Sequence, residues 1–244
     1  MVYSDDDDAL IQCGLTGPEN IPHPDRKISK IRRRTVFRQF FGAAGLAVSG
    51  VALTTLFDKE ASAHDSWPKT IRDQLRSVQR HENAHVAFLL STLKGKARPK
   101  PTFKNLTSKN NYEFLTLGRT FENVGVGAYQ GAAPAIKSPV ILAAAASIAS
   151  IESRHAGFFN NLQLKNVTEN AFGQEQNFER PFSVEEVVNF AKPYFQDVPG
   201  PPLTFNADPA ARSDDNDIAI LNFALALEYL EAEFYNINVP RFYR

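Results

Sequence analysis

The chain has 244 residues with 43% hydrophobic side chains, and its 27 basic residues equal its 27 acidic residues in number. Such a chain can bury a substantial core, which fits one domain with appendages. Residues 1–63 and the remainder are each balanced in charge. Neither part therefore has the basic excess that attracts nucleic acid, and we exclude nucleic acid as a partner.

Residues 1–63 contain the ordered features of an export signal. A basic run, Arg32–Arg34, precedes a weakly apolar stretch, Phe37–Phe57, and the small residues Ala61–Ala63 follow. The basic run resembles a twin-arginine signal. We predict a leader that is cleaved after residue 63, a periplasmic or extracellular protein, and contact with a membrane only during export. The alternative, a membrane anchor or ordinary helix, is disfavoured because about 17 glycine-interrupted residues are short for a membrane span.

The remaining segment, residues 64–244, is predicted to be one all-α domain. Cys13 is the only cysteine of the chain and lies in the leader. Cleavage would therefore leave no disulfide and no thiolate. Any metal ligands of the mature protein must then be nitrogen or oxygen atoms.

Boundary residues and apolar periodicity predict four main helices in this domain. Pro134 stops the second helix, Ser138 caps the third, and Ser213 caps the fourth, which is expected to end before Pro240. The predicted ranges are about 67–93, 112–131, 139–163 and 214–237. Within the linker, residues 165–212, a capping box at Ser183–Glu186 predicts a short helix, and the proline-rich residues 194–212 are expected to be irregular.

Two of the predicted helices place a glutamate and a histidine in an otherwise apolar inward seam. The pairs are Glu82 with His85 and Glu152 with His155. A glutamate and a histidine three residues apart project from the same side of a helix, so both can reach one metal ion or two neighbouring ions. An ionised carboxylate in such a seam is strongly unfavourable unless it is paired or bound to a cation. The pattern therefore predicts a positive ion between these helices.

The other two helices each carry an inward glutamate followed seven residues later by a tyrosine. These pairs are Glu122 with Tyr129 and Glu228 with Tyr235. Seven residues correspond to about two helical turns, so each phenol can point toward a carboxylate of a neighbouring helix. We predict that both tyrosines are catalytic residues; core packing is the alternative role.

Four further charged or polar residues lie close to the seams. Glu231 lies one turn after Glu228 and faces a position where the partner helix has Gly125, so it could be an extra ligand. A satisfied polar residue is the preferred interpretation. His81 and Arg154 point about 100° away from their neighbours in the seams and are expected to be peripheral, and Glu233 is expected to face outward.

The predicted ligand set therefore combines four carboxylates and two imidazoles: Glu82, His85, Glu122, Glu152, His155 and Glu228. This is the set found in two-metal carboxylate bundles. The stretches at residues 81–88, 121–134, 149–155 and 220–235 resemble secreted ferritin-like domain proteins, a family that includes the desiccation-related proteins. The resemblance implies a ferritin-like four-helix bundle. Iron or manganese suits the oxygen- and nitrogen-rich site, so we expect two such ions, with zinc as a further option.

The helix order departs from this resemblance. In that family the helix similar to residues 221–235 comes first, whereas here it comes last. Three explanations are open: a circular permutation in which the C-terminal helix joins its own bundle, an exchange of this helix between chains, or a truncated or misassembled second domain. We favour permutation, because the linker can cross a bundle about 35 Å long.

Two function classes follow from these residues. The first is an exported metal-binding protein whose di-iron or di-manganese centre reacts with dioxygen or peroxide, as a ferroxidase or peroxide-handling oxidoreductase. The alternative is a non-enzymatic stress- or desiccation-related structural protein with a vestigial or single-metal site. Metal ions are the expected partners, and a homodimer is one assembly that the sequence allows.

Overall fold

The computed structural model describes residues 67–243, and the predicted leader with its cysteine lies outside them. The helices are α1 (Lys69–Leu93), α2 (Asn111–Ala132), α3 (Pro139–Leu162), α4 (Val184–Ala191) and α5 (Asp214–Phe242), and two short strands are β1 (Thr102–Phe103) and β2 (Phe195–Asp197). The four long helices form a bundle, which confirms the all-α fold class. None of the described helices is long and apolar enough to cross a membrane.

The helix starts follow from local capping. Ser138 accepts a hydrogen bond from the backbone N–H of Ile141 at the start of α3, and Ser213 accepts one from Asn216 at the start of α5. The predicted capping box is present, since Ser183 and Glu186 each accept the other's backbone N–H before α4. These side chains satisfy donors that have no partner within the first turn of a helix.

The predicted end of the last helix before Pro240 was wrong, because α5 continues to Phe242. Proline lacks an N–H and its ring crowds the preceding turn, which normally ends a helix. Here the next turn still forms: Tyr243 donates its backbone N–H to the carbonyl of Val239 at 2.8 Å. Both of these residues are buried in the aromatic core, so packing offsets the cost of the proline.

The bundle consists of two antiparallel helix pairs, α1 with α5 and α2 with α3. Between α2 and α3, Thr116 contacts Gln163 and Glu122 contacts His155, so the chains run in opposite directions. Helix α5 is also antiparallel to α2. Consequently α1 and α2 run in the same direction, as do α3 and α5, and a crossover segment must connect each of these parallel pairs.

The first crossover lies along α5. The backbone N–H of Arg98 donates to the Asn222 side chain at 2.6 Å, and the N–H of Ser108 donates to the Asn238 side chain at 2.9 Å. The chain between them therefore follows most of the length of α5. This cover explains why α5 is buried around most of its circumference, in contrast to the more exposed α3.

The two crossovers meet where β1 pairs antiparallel with β2. Phe103 stands opposite Phe195, and their rings lie 5.5 Å apart between centroids. The expectation that residues 194–212 are irregular was therefore wrong at Phe195–Asp197. The strand forms because a distant segment supplies its hydrogen-bond partner, and local periodicity carries no sign of such a partner.

Apolar clusters occupy both ends of the bundle and leave a polar layer between them. One cluster is rich in aromatic residues and the other is aliphatic: Leu75, Val78, Phe114, Phe159, Phe234 and Tyr235 belong to the first, and Leu89, Leu93, Ile148, Leu221 and Leu225 to the second. Each long helix contributes buried residues to both clusters except α2, which reaches the second cluster through the partly buried Tyr129. The glutamates and histidines of the seams lie between these two layers, shielded from water at both ends.

Candidate metal centre

All six predicted ligand side chains converge in the polar layer. Their ligand atoms form two groups, and within each group the atoms lie within 4.8 Å of one another. Glu82 and Glu152 belong to both groups. His155 and Glu122 complete the first group, and His85 and Glu228 complete the second. Helices α1 and α3 therefore supply the shared carboxylates, whereas α2 and α5 supply one unshared carboxylate each.

The two groups are related by an approximate twofold arrangement. The Nδ1 atom of His85 lies 3.0 Å from Glu152 and 3.2 Å from Glu228. The Nδ1 atom of His155 correspondingly lies 3.0 Å from Glu82 and 3.1 Å from Glu122. Each histidine thus approaches the shared glutamate of the other histidine-bearing helix. Two equivalent positions for a cation result, one beside each imidazole.

The tyrosines bind the unshared glutamates across the bundle. Tyr129 of α2 donates its hydroxyl hydrogen to Oε1 of Glu228 at 2.6 Å, and Tyr235 of α5 donates to Oε1 of Glu122. The Oε2 atom of each glutamate faces a histidine instead. Each tyrosine therefore orients one carboxylate, so that one oxygen accepts from the phenol and the other faces the centre.

The shared carboxylates have histidine nitrogens nearby but no well-aligned hydrogen-bond donor. Both oxygen atoms of Glu82 and both of Glu152 are buried and lack a donor within the described residues. The histidine nitrogens are near them, but one Nδ1–H can be directed at only one acceptor, and each points at an unshared glutamate. A buried carboxylate without donors is strongly destabilising. Oxygen and nitrogen donors arranged in this way fit a pair of metal ions.

The pKa values of the buried glutamates and histidines also indicate that the polar layer lacks positive charge. Burial, and next the charge of Glu152, raises the pKa of Glu82 to about 7. Burial and the charge of Glu122 likewise raise the pKa of Glu152 well above its usual value. Burial lowers the pKa of His155, but the charge and hydrogen bond of Glu122 raise it by more, to about 11. Without a metal ion, the site therefore retains protons at neutral pH in place of cations.

Glu231 is a fifth carboxylate in this layer. It is 5% exposed, and within the described residues it accepts no hydrogen bond, which differs from the expectation of a satisfied polar residue. Its Oε1 atom lies 3.4 Å from the point where a Cβ atom on Gly125 would stand, which is ordinary van der Waals contact, so the two positions face each other but the glycine is not required to make room. Burial, followed by the charges of Glu152 and Glu228, raises its pKa well above the usual value. Tertiary packing leaves this group without the partner that we expected.

The expectation that His81 is peripheral was wrong. Its Nδ1 atom lies 2.9 Å from Nε2 of His155, and the two rings are nearly parallel. If Nδ1 of His155 held a cation, its remaining ring proton would be on Nε2, where Nδ1 of His81 would accept it and fix the ring orientation. The spacing of four residues between His81 and His85, which places both on one side of α1, was the available signal. Arg154 is exposed, and Glu233 pairs with Lys100 at 2.6 Å, as expected of residues outside the centre.

Comparison with known proteins agrees with this geometry. The chain matches the sequence profile of the ferritin-like domain over residues 49–165 and 216–243, which is more than half of its length. Searches among curated proteins and among solved structures found no match. The matched segments contain all four long helices and every residue of the two ligand groups. The chain therefore belongs to the ferritin-like domain family.

Proposed function

We propose that this protein is a redox protein whose bundle holds two iron or manganese ions and reacts with dioxygen or peroxide. The observation that carries the proposal is the pair of shared glutamates, whose four buried oxygen atoms have no well-aligned donor among the described residues. Two cations beside the two histidines would neutralise them. Zinc fits the same donors, so the choice of a redox metal rests on the carboxylate-rich composition of the site.

The residues of the chain have distinct parts in this proposal. Glu82 and Glu152, which belong to both ligand groups, would contribute to holding both ions, and each remaining glutamate and histidine pair would hold one of them. A bound pair of iron or manganese ions would supply two electrons, which with two protons reduce dioxygen to hydrogen peroxide, or hydrogen peroxide to two water molecules. Burial between the apolar clusters excludes bulk water from the centre.

We assign Tyr129 and Tyr235 to catalysis because their hydroxyls touch the ligand carboxylates. Burial, and next the charge of the hydrogen-bonded glutamate, raises the pKa of both phenols well above the usual value. The proton therefore stays on Oη at neutral pH and keeps Glu228 and Glu122 oriented.

Reconstitution tests the proposed function. The full chain, loaded anaerobically with ferrous or manganous ions, should hold about two ions per chain and then consume dioxygen or peroxide. Glu82→Ala and His155→Ala should lower the metal content, and Glu233→Gln on the surface of α5 should not. Substoichiometric metal that neither substitution changes contradicts the proposal. Metal that raises thermal stability without any turnover would instead favour the non-enzymatic stress-protein alternative.

We also propose that the protein is exported, is related to the desiccation-related proteins, and is a circular permutant of their usual helix order. The basic, apolar and small-residue segments before residue 64 support export. Permutation is supported by the parallel directions of α3 and α5, which the long linker connects. Sequencing of the N-terminus of the exported protein should find His64 as its first residue. An unprocessed chain that stays in the cytoplasm would overturn the export proposal.

A further inference from the structure

We infer that a small apolar cavity between α2, α3 and α5 binds dioxygen and admits it to the centre. This inference rests on the proposed function for its reaction, and it names the substrate as dioxygen rather than peroxide. The lining of the cavity includes Glu228, Glu231 and Tyr129 of the polar layer. A molecule in the cavity would therefore lie against Glu228, the unshared glutamate of the second ligand group.

The cavity exists because the seam between α2 and α5 is built from small residues. Gly125, Ala128 and Ala132 line it from α2, and Ala224 lines it from α5. Side chains as small as these cannot fill the space between two helices. Ala224 and Leu227, toward the outside, are half-buried, whereas Gly125 and the two glutamates are buried. The cavity therefore leads from near the surface to the centre.

The size of the cavity limits its occupant. Its volume is about 20 Å³, slightly above the 10–15 Å³ or so that one water molecule requires. Pockets for organic ligands usually measure about 300–1,000 Å³. The space therefore suits a diatomic molecule and excludes an organic substrate.

The chemistry of the lining distinguishes dioxygen from peroxide. Between the outer residues and the centre, the lining side chains are alanine, leucine, isoleucine and phenylalanine. Hydrogen peroxide, water and metal ions would lose their hydrogen bonds or hydration in such a passage, whereas dioxygen has none to lose. Apolar cavities in proteins can bind xenon, which makes xenon a suitable probe of this one.

A second apolar cavity reaches the same inner residues from the side of α4. It is lined by Phe121, Phe190 and Leu230, among others, and it shares Gly125, Leu227 and Glu231 with the first cavity. The glycine is thus common to both, and Glu231 is the carboxylate at which both end. Space for a small molecule therefore surrounds this glutamate on two sides of the seam between α2 and α5.

Crystals of the metal-free full chain under xenon pressure test the binding site. Xenon should occupy the cavity beside Ala128 and Leu227, and an empty cavity would overturn the inference. The substitution Ala224→Phe should remove the xenon, whereas Ala146→Phe, at an exposed alanine of α3 outside both cavities, should leave it in place. This measurement needs no metal, so its failure is distinct from failure of the proposed function.

Reaction rates of the metal-loaded protein test whether the cavity admits dioxygen to the centre. Ala224→Phe should slow the reaction with dioxygen at least about tenfold and leave the metal content and the rate with hydrogen peroxide within about twofold of the parent protein. Ala224→Leu is the second variant if the phenylalanine prevents folding. An unchanged dioxygen rate in a variant that no longer binds xenon, or equal slowing with both oxidants, would overturn the inference. A parent protein that binds xenon but reacts with neither oxidant would count against the proposed function alone.

Discussion

The substitution Glu152→Gln is expected to stabilise the metal-free protein and to weaken the binding of both metal ions strongly. Glu152 is fully buried, both of its oxygen atoms lack donors, and its pKa is raised by burial and by Glu122. Glutamine has nearly the same shape, carries no charge, and can donate from its amide to neighbouring carboxylates. Replacing buried ionised pairs by uncharged groups of similar volume is often neutral or stabilising by about 1–4 kcal/mol, and we expect a gain at the lower end of this range for one carboxylate.

The opposite effect on metal binding follows from the position of Glu152 in both ligand groups. Loss of one shared carboxylate removes a ligand from each cation and one of the negative charges that hold them. Loss of a residue that only supports a metal ligand typically lowers the affinity by about 10–100-fold. Because Glu152 is itself a proposed ligand, we expect the affinity for both ions to fall at least about 100-fold. Loss of only one ion would show that Glu152 serves a single position.

Urea unfolding with and without metal, together with metal analysis, measures both effects. The matched control is Glu233→Gln, which removes a partly exposed carboxylate on the outside of α5. It should change the free energy of unfolding by less than about 1 kcal/mol, as for other surface ion pairs, and leave the metal content unchanged. A Glu152→Gln protein that is destabilised without metal would show that the carboxylate has a partner that the structure lacks.

Metal removal is expected to cost little stability at pH 5 and much at pH 8. In the metal-free protein the pKa of Glu82 is raised to about 7 from 4.5. A carboxyl group whose pKa is raised by folding contributes its full stability below its pKa in the unfolded state. This contribution is lost as the pH rises through its pKa in the folded state. The change for Glu82 alone is about 3 kcal/mol between pH 4.5 and 7. His155, with a pKa raised to about 11, loses its contribution in the same direction at higher pH.

The metal-loaded protein should respond in the opposite sense, because protons and cations compete for the same oxygen and nitrogen atoms. At pH 5 the ligands retain their protons, and excess metal should add less than about 1 kcal/mol to the free energy of unfolding. At pH 8 a site loaded at about 1,000 times its dissociation constant should add about 4 kcal/mol. Thermal unfolding with metal or chelator at pH 5, 6.5 and 8 measures this difference, and a difference that does not grow with pH would contradict the two-cation centre.

Calorimetric titrations in two buffers provide a control for this interpretation. Metal binding at pH 6.5 should release protons from His155 and the shared glutamates, so the apparent enthalpy should depend on the ionisation enthalpy of the buffer. The Glu152→Gln variant should lose this dependence together with its metal. A parent protein that binds metal without releasing protons would show that the buried carboxylates are already ionised.

Periodicity in the sequence was sufficient to predict the four long helices and the side that each turns inward. The direction of a side chain about its own helix depends on 3.6 residues per turn, which is a local property. For this reason the seams containing Glu82, His85, Glu152 and His155 could be recognised without a structure. Their polar residues stood out because burial of a charge without a partner is unfavourable in any bundle. Metal binding, export and the permuted order stay predictions.

Which groups meet across the bundle was decided only by tertiary structure. The sharing of Glu82 and Glu152, the crossed tyrosine pairs, the contact between His81 and His155, and the missing partner of Glu231 all depend on the rotation and distance of neighbouring helices. The same holds for β1 pairing with β2 and for the turn beyond Pro240. These features arise from contacts between segments far apart in the chain, and a spacing rule along one segment contains no information about the segment that it will meet.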